Sequence, residues 1–463
     1  MTSYLRTLRK SLVGDPEAPL VLLCNFEVER QWAVGHVGLP GVAVASAPAV
    51  VQRMEQLGAL LAGPDDFLVL KHPLDDGYRK YVEDLGFAPP TVLVPENVVE
   101  ERSTTEDVLD SPRLLATLAA LGRRGARLLP MGASAAEQKI AESCSLPLAG
   151  ADAATAERVN GKIYGRRLAG ALGLREIPGH CCETVADLET ALADLAPDHP
   201  LVVKDAYGVS GRGLVVVDSP TKAAGLLRMV GRRAAKTGDN RLEVVVEEWI
   251  DRRFDLNYQL TVAGDGAVKF DFVKAARTEG GVHKGHIMPP ELEPAQLAEI
   301  EHAALEVGAA LHRDGFVGVA GVDAIVSTAG TLYPVLEINA RLNMSTYQGS
   351  VVERAQRPGH AGLARHYTLR LGALVAFDQV REALDRVERP EPTNIVVTCF
   401  GTLNAGAPAL SGAVAPAPGA TAQESFNGRL YVMLFAPDRT RLTDLDGRVQ
   451  RALAGIPDVQ EVR

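Results

Sequence analysis

The chain has 463 residues, of which 46% are hydrophobic and 23% charged, and its formal net charge is -10. This composition is typical of a folded protein of two or three domains, and it argues against disorder, nucleic-acid binding and membrane-surface binding. No run approaches the roughly 18 apolar residues that a membrane span needs, and the first residues lack a signal-peptide pattern, so we expect a cytoplasmic protein. The five cysteines form neither a disulfide framework nor a zinc-binding spacing.

The first 150 residues alternate short apolar stretches with helical patterns, which predicts a small parallel α/β domain. An alanine- and glycine-rich linker at 148–154 ends this domain. The expected strands are Leu20–Cys24, Phe67–Leu70 and Thr91–Val94. The expected helix is Val50–Leu61.

The composition changes again near residue 375, where an acidic, proline-bearing stretch begins. A strand is expected at Ile395–Cys399, followed by a low-complexity loop at 405–420. The dipeptide Asn427-Gly428 predicts a hairpin turn before a strand at Arg429–Phe435. We therefore expect three domains, which cover residues 1–150, 151–375 and 376–463.

The segment from Val335 to Arg341 carries polar side chains on alternate residues of a predicted strand. Successive side chains of a strand point to opposite faces, so Glu337, Asn339 and Arg341 share one face. Oxygen ligands followed by a guanidinium suit Mg²⁺ with a triphosphate, beside an anionic acyl group. The alternative is a solvated strand face with an incidental ion pair.

The preceding apolar stretch, residues 316–326, contains a single acid, Asp323. We expect this stretch to pair in an antiparallel manner with the strand that carries Glu337. If the numbers of each two facing residues sum to 658 or 660, Asp323 lies opposite or diagonal to Glu337 and Asn339. Two neighbouring carboxylates repel each other unless a cation or a proton lies between them. The hairpin therefore predicts a metal site formed by Asp323, Glu337 and Asn339.

Two lysines are candidates for phosphate binding. Lys162 lies in the first turn of a predicted helix with Asn160 as its N-cap, where a lysine is unfavourable unless an anion is close. Lys204 ends an apolar strand and precedes a glycine-rich segment, so the pattern is not a Walker A loop. The alternative for Lys162 is a surface lysine whose stem lies along the protein.

The glycine-rich segment at 208–213 is expected to be the tip of a hairpin. Gly208, Ser210 and Gly211 can offer backbone N–H groups to a triphosphate without side-chain obstruction. An ordinary glycine-rich hairpin is the alternative.

A further strand ends in Glu247, Glu248, Trp249 and Ile250. We expect its edge to offer backbone groups to an adenine, and Asp255 to accept hydrogen bonds from ribose hydroxyls. A solvated strand end is the alternative for the two glutamates.

Taken in order, N-x-K before a helix, V-V-K with a glycine-rich hairpin, V-E-E-W-I, G-V-D and L-E-I-N-A-R resemble the ATP-grasp superfamily of carboxylate–amine ligases. The resemblance covers roughly residues 150–350. It implies an α/β (α+β) ATP-grasp fold, a pre-ATP-grasp domain before it, and a small C-terminal α+β domain. The implied cofactors are ATP and Mg²⁺, with Mn²⁺ as an alternative ion.

The resemblance also implies roles for single residues. Lys162 and Lys204 would hold the ATP phosphates under the 208–213 loop. The adenosine would be bound by Glu247, Glu248, Trp249 and Ile250 with Asp255, and Mg²⁺ by Asp323, Glu337 and Asn339.

Within the superfamily, the chain looks most like the peptide ligases of pheganomycin-type antibiotic biosynthesis. That likeness implies that a nonproteinogenic amino acid is activated at its carboxylate, as an acyl phosphate, and is joined to the N-terminal amine of a peptide. Arg341 would grip the carboxylate or stabilise the oxyanion of the tetrahedral intermediate. Homodimers are plausible in this superfamily, although the chain carries no sequence mark of one.

The segment 277–286 is a further predicted loop with several cationic side chains. We assign Arg277 to phosphate contact and His283 and Lys284 to phosphate or substrate, with a solvated loop as the alternative. Asn343 and Ser345 follow Arg341 closely enough to touch an acyl substrate.

Other functions stay open on the sequence alone. One is a ligase that joins two small substrates, such as two amino acids, and another is a carboxylase-like enzyme that activates bicarbonate. A third is a non-catalytic ATP-binding scaffold, which the complete set of metal ligands together with Arg341 disfavours.

Overall fold

The computed structural model describes most of the chain, and the side chains of residues 278–283 lie outside the description. Among the described residues, no helix is both long and apolar enough to cross a membrane. The described ranges are 2–40, 49–194, 199–208, 213–279, 282–388, 393–407 and 425–463.

The first domain is built on a four-stranded parallel sheet with the strand order β3-β2-β1-β4. Its strands are β1 Leu20–Leu23, β2 Phe67–Val69, β3 Thr91–Leu93 and β4 Arg127–Pro130. Its helices are α1 Ser3–Val13, α2 Glu29–Trp32, α3 Ala49–Gln52, α4 Gly58–Leu61, α5 Asp76–Asp84, α6 Thr104–Leu109, α7 Pro112–Arg123 and α8 Ala135–Ser143.

The three predicted strands of the first domain are confirmed, and so is their parallel arrangement. The predicted helix at 50–61 is α3 and α4 with a 3-10 turn, Arg53–Leu57, between them. Sequence reasoning missed β4, because four residues that begin with an arginine and end with a proline make a weak strand pattern.

The second sheet is antiparallel, with the strand order β5-β8-β6-β7. Two helices precede it, α9 Ala153–Asn160 and α10 Lys162–Ala171. The prediction of Asn160 as an N-cap is wrong, since it is the last residue of α9 and Gly161 caps α10. The remaining elements are β5 Gly179–Thr184, α11 Val185–Asp194, β6 Leu201–Asp205, β7 Leu214–Val217, α12 Pro220–Thr237 and β8 Arg241–Glu248.

The third sheet has nine strands in the order β13-β12-β9-β10-β11-β14-β16-β15, and β17 pairs with β14. Its strands are β9 Arg252–Val262, β10 Val268–Glu279, β11 Val282–Met288, β12 Gly318–Ser327, β13 Leu332–Asn339, β14 Ala361–Leu371, β15 Asn394–Cys399, β16 Phe426–Ala436 and β17 Val459–Val462. Its helices are α13 Pro294–Arg313, α14 Met344–Ala355, α15 Phe377–Asp385, α16 Gly401–Asn404 and α17 Arg439–Ala454.

The final segment of the chain extends this third sheet. β16 pairs with β14 along its whole length, and β15 adds to the far edge of β16. The predicted boundary near residue 375 therefore cuts a continuous sheet, and residues 376–463 have no separate sheet of their own in the described part of the chain.

One face of the third sheet is covered by α13. Tyr258, Leu260 and Val262 of β9 form a buried core with Ile300 and Val307 of α13. Because side chains alternate along a strand, the polar residues between them point to the opposite face. That opposite face carries the candidate site.

The predicted turn at Asn427-Gly428 is wrong, because both residues lie inside β16 and pair with Arg370 and Leu369. The glycine is needed for a different reason, since a Cβ atom on Gly428 would overlap the carbonyl oxygen of Leu403 in α16. A glycine where another backbone approaches a strand closely is a known alternative to a turn.

We expect Gly428→Ala to lower the free energy of unfolding by about 1–3 kcal/mol, because backbone atoms must move to admit the methyl group. Urea unfolding measures this. The matched control is Gly231→Ala in α12, where a Cβ meets no atom within 4 Å, and which should be neutral or stabilising by up to about 1 kcal/mol. Equal stability of the two variants would contradict the close approach.

Candidate nucleotide and metal site

The hairpin of β12 and β13 brings the predicted metal ligands together. Asp323 pairs directly with Glu337, so their numbers sum to 660, and Gly321 pairs with Asn339. A bulge between Asp323 and Ile325 shifts the sum to 658 further along. The predicted register is confirmed, and the two carboxylates project from neighbouring strands on one face.

Asp323 sits in an environment that opposes its charge. Burial, and next the charge of Glu337, raise the pKa of Asp323 from 3.8 to about 6. A hydrogen bond from Asn257 Nδ2, at 2.7 Å, partly offsets this, and Asn339 Nδ2 donates to the same carboxylate at 3.4 Å. Sequence reasoning missed Asn257, although the alternation of polar and apolar residues along β9 was a usable signal.

This donor set fits a hard divalent cation. Two facing carboxylates that repel each other gain from a shared positive charge, and the carboxamide of Asn339 lies beside them. No group of three or more His, Cys, Asp or Glu side chains in the described ranges is placed to hold a metal. A cation here would therefore complete its shell with carboxamide, phosphate or water oxygens.

Lys162 is the first residue of α10 and reaches the same carboxylates. Its Nζ lies 2.8 Å from Glu337 Oε1 and 2.5 Å from the carbonyl oxygen of Gly208. The lysine is buried, so its ammonium stands between the metal ligands and the start of the glycine-rich segment. Its position agrees with a role beside phosphate oxygens.

Lys204 lies on β6 and contacts Glu247 on β8, with 2.5 Å between Nζ and Oε2. The other oxygen of Glu247 accepts a hydrogen bond from Arg166 Nη1 at 2.8 Å. The side chain of Glu247 thus binds two cations, one from β6 and one from α10. Sequence reasoning missed Arg166, which carried no motif signal.

The contact of an adenine with backbone groups at the end of β8 stays a prediction, and several of those groups are already paired. β8 lies between β5 and β6, which pair with it on both sides at Glu247. The N–H groups of Glu248 and Trp249 already donate to the carbonyl oxygens of Pro178 and Pro200. The Trp249 ring lies under the guanidinium of Arg252.

Ile250 follows the end of β8, and Asp255 lies on β9. Asp255 is two residues before Asn257, so the two share the face that carries Asp323. Its carboxylate pairs with Arg252, 3.0 Å away. Contacts of Trp249, Ile250 and Asp255 with adenosine stay predictions.

Arg341 lies just beyond β13 and is paired. Its Nε is 2.7 Å from Glu29 Oε1, and its Nη2 also contacts Glu29 and donates to Asn339 Oδ1 at 3.0 Å. Glu29 is the first residue of α2, so the first domain supplies a counter-charge at the metal strand. Sequence reasoning missed Glu29 because the pair is separated by some three hundred residues of chain.

The assignment of Arg277 to phosphate finds no support in the contacts of this residue. Its Nη1 donates to Asp446 Oδ2 of α17 at 2.8 Å, and Arg365 and the Tyr367 hydroxyl bind the same carboxylate. Alternation along β10 also puts Arg277 on the face opposite Lys274, whose partner across the strands is Asn257. Arg277 ties β10 to α17.

Of the remaining predicted residues, Asn343 lies beside the metal-ligand face, since its Nδ2 would be 2.7 Å from a Cβ atom on Gly321, the partner of Asn339. Asn343 is the buried N-cap of α14, and its Oδ1 accepts from the N–H groups of Ser345 and Thr346. Ser345 is buried as well, so neither predicted substrate contact finds support. Lys284 is half-buried on β11. Ser210, Gly211 and the side chain of His283 lie outside the described residues.

Comparison with known proteins agrees with this geometry. Residues 54–146 match the family model of the pre ATP-grasp domain, and residues 162–352 match that of the ATP-binding domain of the carbamoyl-phosphate synthase L chain. A [butirosin acyl-carrier protein]–L-glutamate ligase from Niallia circulans is 25% identical over 77% of this chain and 80% of its own length. A formate-dependent phosphoribosylglycinamide formyltransferase from Pseudomonas putida is 33% identical over 33% of this chain and 38% of its own.

Solved structures share the fold at low identity. Biotin carboxylase from Campylobacter jejuni has a TM-score of 0.56 with 11% identity, and the match covers 96% of this chain and 92% of that one. N5-carboxyaminoimidazole synthetase from Staphylococcus aureus has a TM-score of 0.52 with 12% identity, over 94% and 98%. These matches indicate an ATP-dependent carboxylate–amine ligase in which a pre-ATP-grasp domain precedes an ATP-binding domain similar to those of ATP-grasp enzymes.

We expect Asp323→Asn to change how stability depends on pH and on Mg²⁺. The pKa of Asp323 is raised to about 6, so without metal this group's contribution to stability falls as pH rises from about 4 through 6. In EDTA at pH 8 the variant should be more stable by about 1–3 kcal/mol, and Mg²⁺ should no longer stabilise it.

Urea unfolding at pH 5 and pH 8, each with EDTA or Mg²⁺, measures both effects. Glu301→Gln, an exposed acid on α13, is the matched control and should behave as the unaltered protein. Undiminished stabilisation of Asp323→Asn by Mg²⁺ would remove Asp323 from the metal site.

Arg277→Met should leave ATP affinity unchanged within about twofold and lower the free energy of unfolding by about 1–3 kcal/mol, since buried Asp446 loses one of its donors. Calorimetric titration with ATP and urea unfolding test the two parts. A tenfold loss of ATP affinity would return Arg277 to the phosphate site.

Proposed function

We propose that this chain is a peptide ligase that activates the carboxylate of a nonproteinogenic amino acid with ATP and joins it to the N-terminal amine of a peptide. The observation that supports the ATP-dependent step best is the facing pair of Asp323 and Glu337, with the ammonium of Lys162 on Glu337. Two acids and a carboxamide on one face of the sheet, with a lysine that reaches them from α10, suit a metal-bound triphosphate.

Each cation of the site is matched by a carboxylate in the ligand-free protein. Lys162 contacts Glu337, and Lys204 contacts Glu247. Phosphate oxygens would compete for both lysines, so nucleotide binding exchanges one set of anionic partners for another. Lys162 and Lys204 are the residues we assign to the phosphates.

Asp323, Glu337 and Asn339 would hold Mg²⁺, which neutralises charge on the β- and γ-phosphates when bound. An oxygen of the substrate carboxylate attacks the γ-phosphorus, the bond to the bridging oxygen breaks, and ADP leaves with that electron pair. Lys162 and Lys204 offset the charge that moves onto ADP.

The acyl phosphate that results is open to attack by an amine. A C–N bond forms, the bond between the acyl carbon and the phosphate oxygen breaks, inorganic phosphate leaves with the electron pair, and the amine loses a proton to water. Arg341, released from Glu29, would face the oxyanion of the tetrahedral intermediate. The protein contributes mainly positioning and electrostatic stabilisation.

The choice of substrates rests on two supports. The L-E-I-N-A-R-L-N-M form of the metal strand resembles the pheganomycin-type peptide ligases. The name of the relative from Niallia circulans describes an amino acid, L-glutamate, ligated to an acyl-carrier protein. That name favours an amino acid as one of the two substrates. The competing candidate is a ligase that joins a different pair of substrates.

We expect ADP release to require both a carboxylic acid and an amine, and Glu337→Ala to lower kcat by at least about a thousandfold. A coupled ADP assay measures turnover, and mass spectrometry of candidate acids and peptides scores adducts that have lost one water. Glu301→Gln should turn over normally.

ADP release that needs neither component would contradict the ligase. A product formed from two free amino acids would show that the amine substrate is a small molecule and not a peptide. Nucleotide binding without any turnover would favour a non-catalytic ATP-binding scaffold.

A further inference from the structure

Lys274 lies on the same face of the third sheet as Asp323 and Glu337, two strands away from Asp323. It pairs with Asn257 across β10 and β9, Asn257 pairs with Asp323, and Asp323 pairs with Glu337. The four residues therefore lie side by side on one face. At about 5 Å per strand, the Cα atom of Lys274 is about 10 Å from that of Asp323.

The ammonium of Lys274 is buried and its described partners are neutral. The residue is 2% exposed, and its Nζ lies 2.8 Å from Gln348 Oε1 of α14 and 4.6 Å from the centre of the Phe272 ring. A carboxamide oxygen and a ring face stabilise a cation without cancelling its charge.

Other buried lysines in the described ranges are paired with acids. The pairs are Lys71 with Asp107 and Lys162 with Glu337, each at 2.8 Å. Lys204, which is only half-buried, is paired as well, with Glu247 at 2.5 Å.

The acid nearest to Lys274 along β10, Asp271, is engaged elsewhere, by Gln259, Thr261 and Lys269. Burial alone lowers the pKa of Lys274 to about 7. A buried ammonium without an anion costs several kcal/mol. Beside a substrate site, such a cost is explained when a ligand supplies the missing anion.

We propose that Lys274 and Gln348 form a subsite for a second carboxylate of a substrate, one that is not itself activated. The inference rests on the proposed function, because it takes the reacting carboxylate to lie by Asp323 and Glu337. The second carboxylate accepts a charge-assisted hydrogen bond from Lys274, and the Gln348 amide turns to donate to it. The substrate class is a short dicarboxylic acid, or an amino acid that brings its own carboxylate.

The test is equilibrium binding of dicarboxylates to the full-length protein, without nucleotide. The probes are malonate, succinate, glutarate and adipate, each compared by calorimetry with the monocarboxylate of equal carbon number. At least one dicarboxylate should bind the unaltered protein about tenfold more tightly than its monocarboxylate. Lys274→Met should abolish that preference, and Lys274→Arg should keep part of it.

Lys269→Met is the matched control, because Lys269 lies on the same strand, is half exposed and pairs with Asp271. It should bind the probes as the unaltered protein does. Lys274→Met should fold and unfold at a higher urea concentration than the unaltered protein, since it removes an uncompensated buried charge. The proposal is overturned if no dicarboxylate is preferred, or if Lys274→Met keeps the preference.

Turnover separates the two sources of the carboxylate. If the acid component supplies it, Lys274→Met raises KM for a dicarboxylic acid but not for its monocarboxylic analogue. If the amine component supplies it, the variant raises KM for an amino acid but not for its amide. The binding titration needs no turnover, so absence of ligase activity would count against the proposed function and leave the subsite result standing.

Discussion

The facing pair of Asp323 and Glu337 is the constraint on which the rest of the site depends. Two carboxylates held on neighbouring strands repel each other, and this repulsion adds to the effect of burial, which is the larger cause of the raised pKa of Asp323. The β12–β13 hairpin, packed through its other face on α13, keeps them together despite it. The fold therefore holds two carboxylates whose mutual repulsion a bound cation would relieve. Lys162, which contacts Glu337, relieves only part of it.

Ion pairs tie the first domain to the end of this hairpin and hold two further cations at the second sheet. Glu29 of the first domain holds Arg341, and Glu247 of the second sheet holds Lys204 and Arg166. Each cation is thus already oriented before any nucleotide arrives, at the expense of being engaged with a protein carboxylate. Preorganised charges lose less side-chain freedom on binding than free ones do. The first domain contacts the candidate site, since it supplies the carboxylate that pairs with Arg341.

Sequence periodicity predicted the parts of the site that depend on neighbouring strands. The alternation in residues 335–341 and the lone acid at Asp323 were enough to place the hairpin register, because strand geometry fixes which side chains share a face. The partners of Arg341 and Arg277 could not be predicted, since Glu29 and Asp446 come from distant elements and leave no local pattern. The prediction of a turn at Asn427-Gly428 was wrong because a glycine is also required where two backbone segments approach each other closely.

The continuous third sheet has a consequence for how the protein forms during synthesis. Leu22 and Leu68 of the first domain share one hydrophobic core with Val397, Leu430 and other residues near the end of the chain. The ribosome must therefore release the last strands before the earliest ones can bury their apolar side chains fully. Partly made chains expose that surface for the longest time, which makes them candidates for chaperone binding and for aggregation.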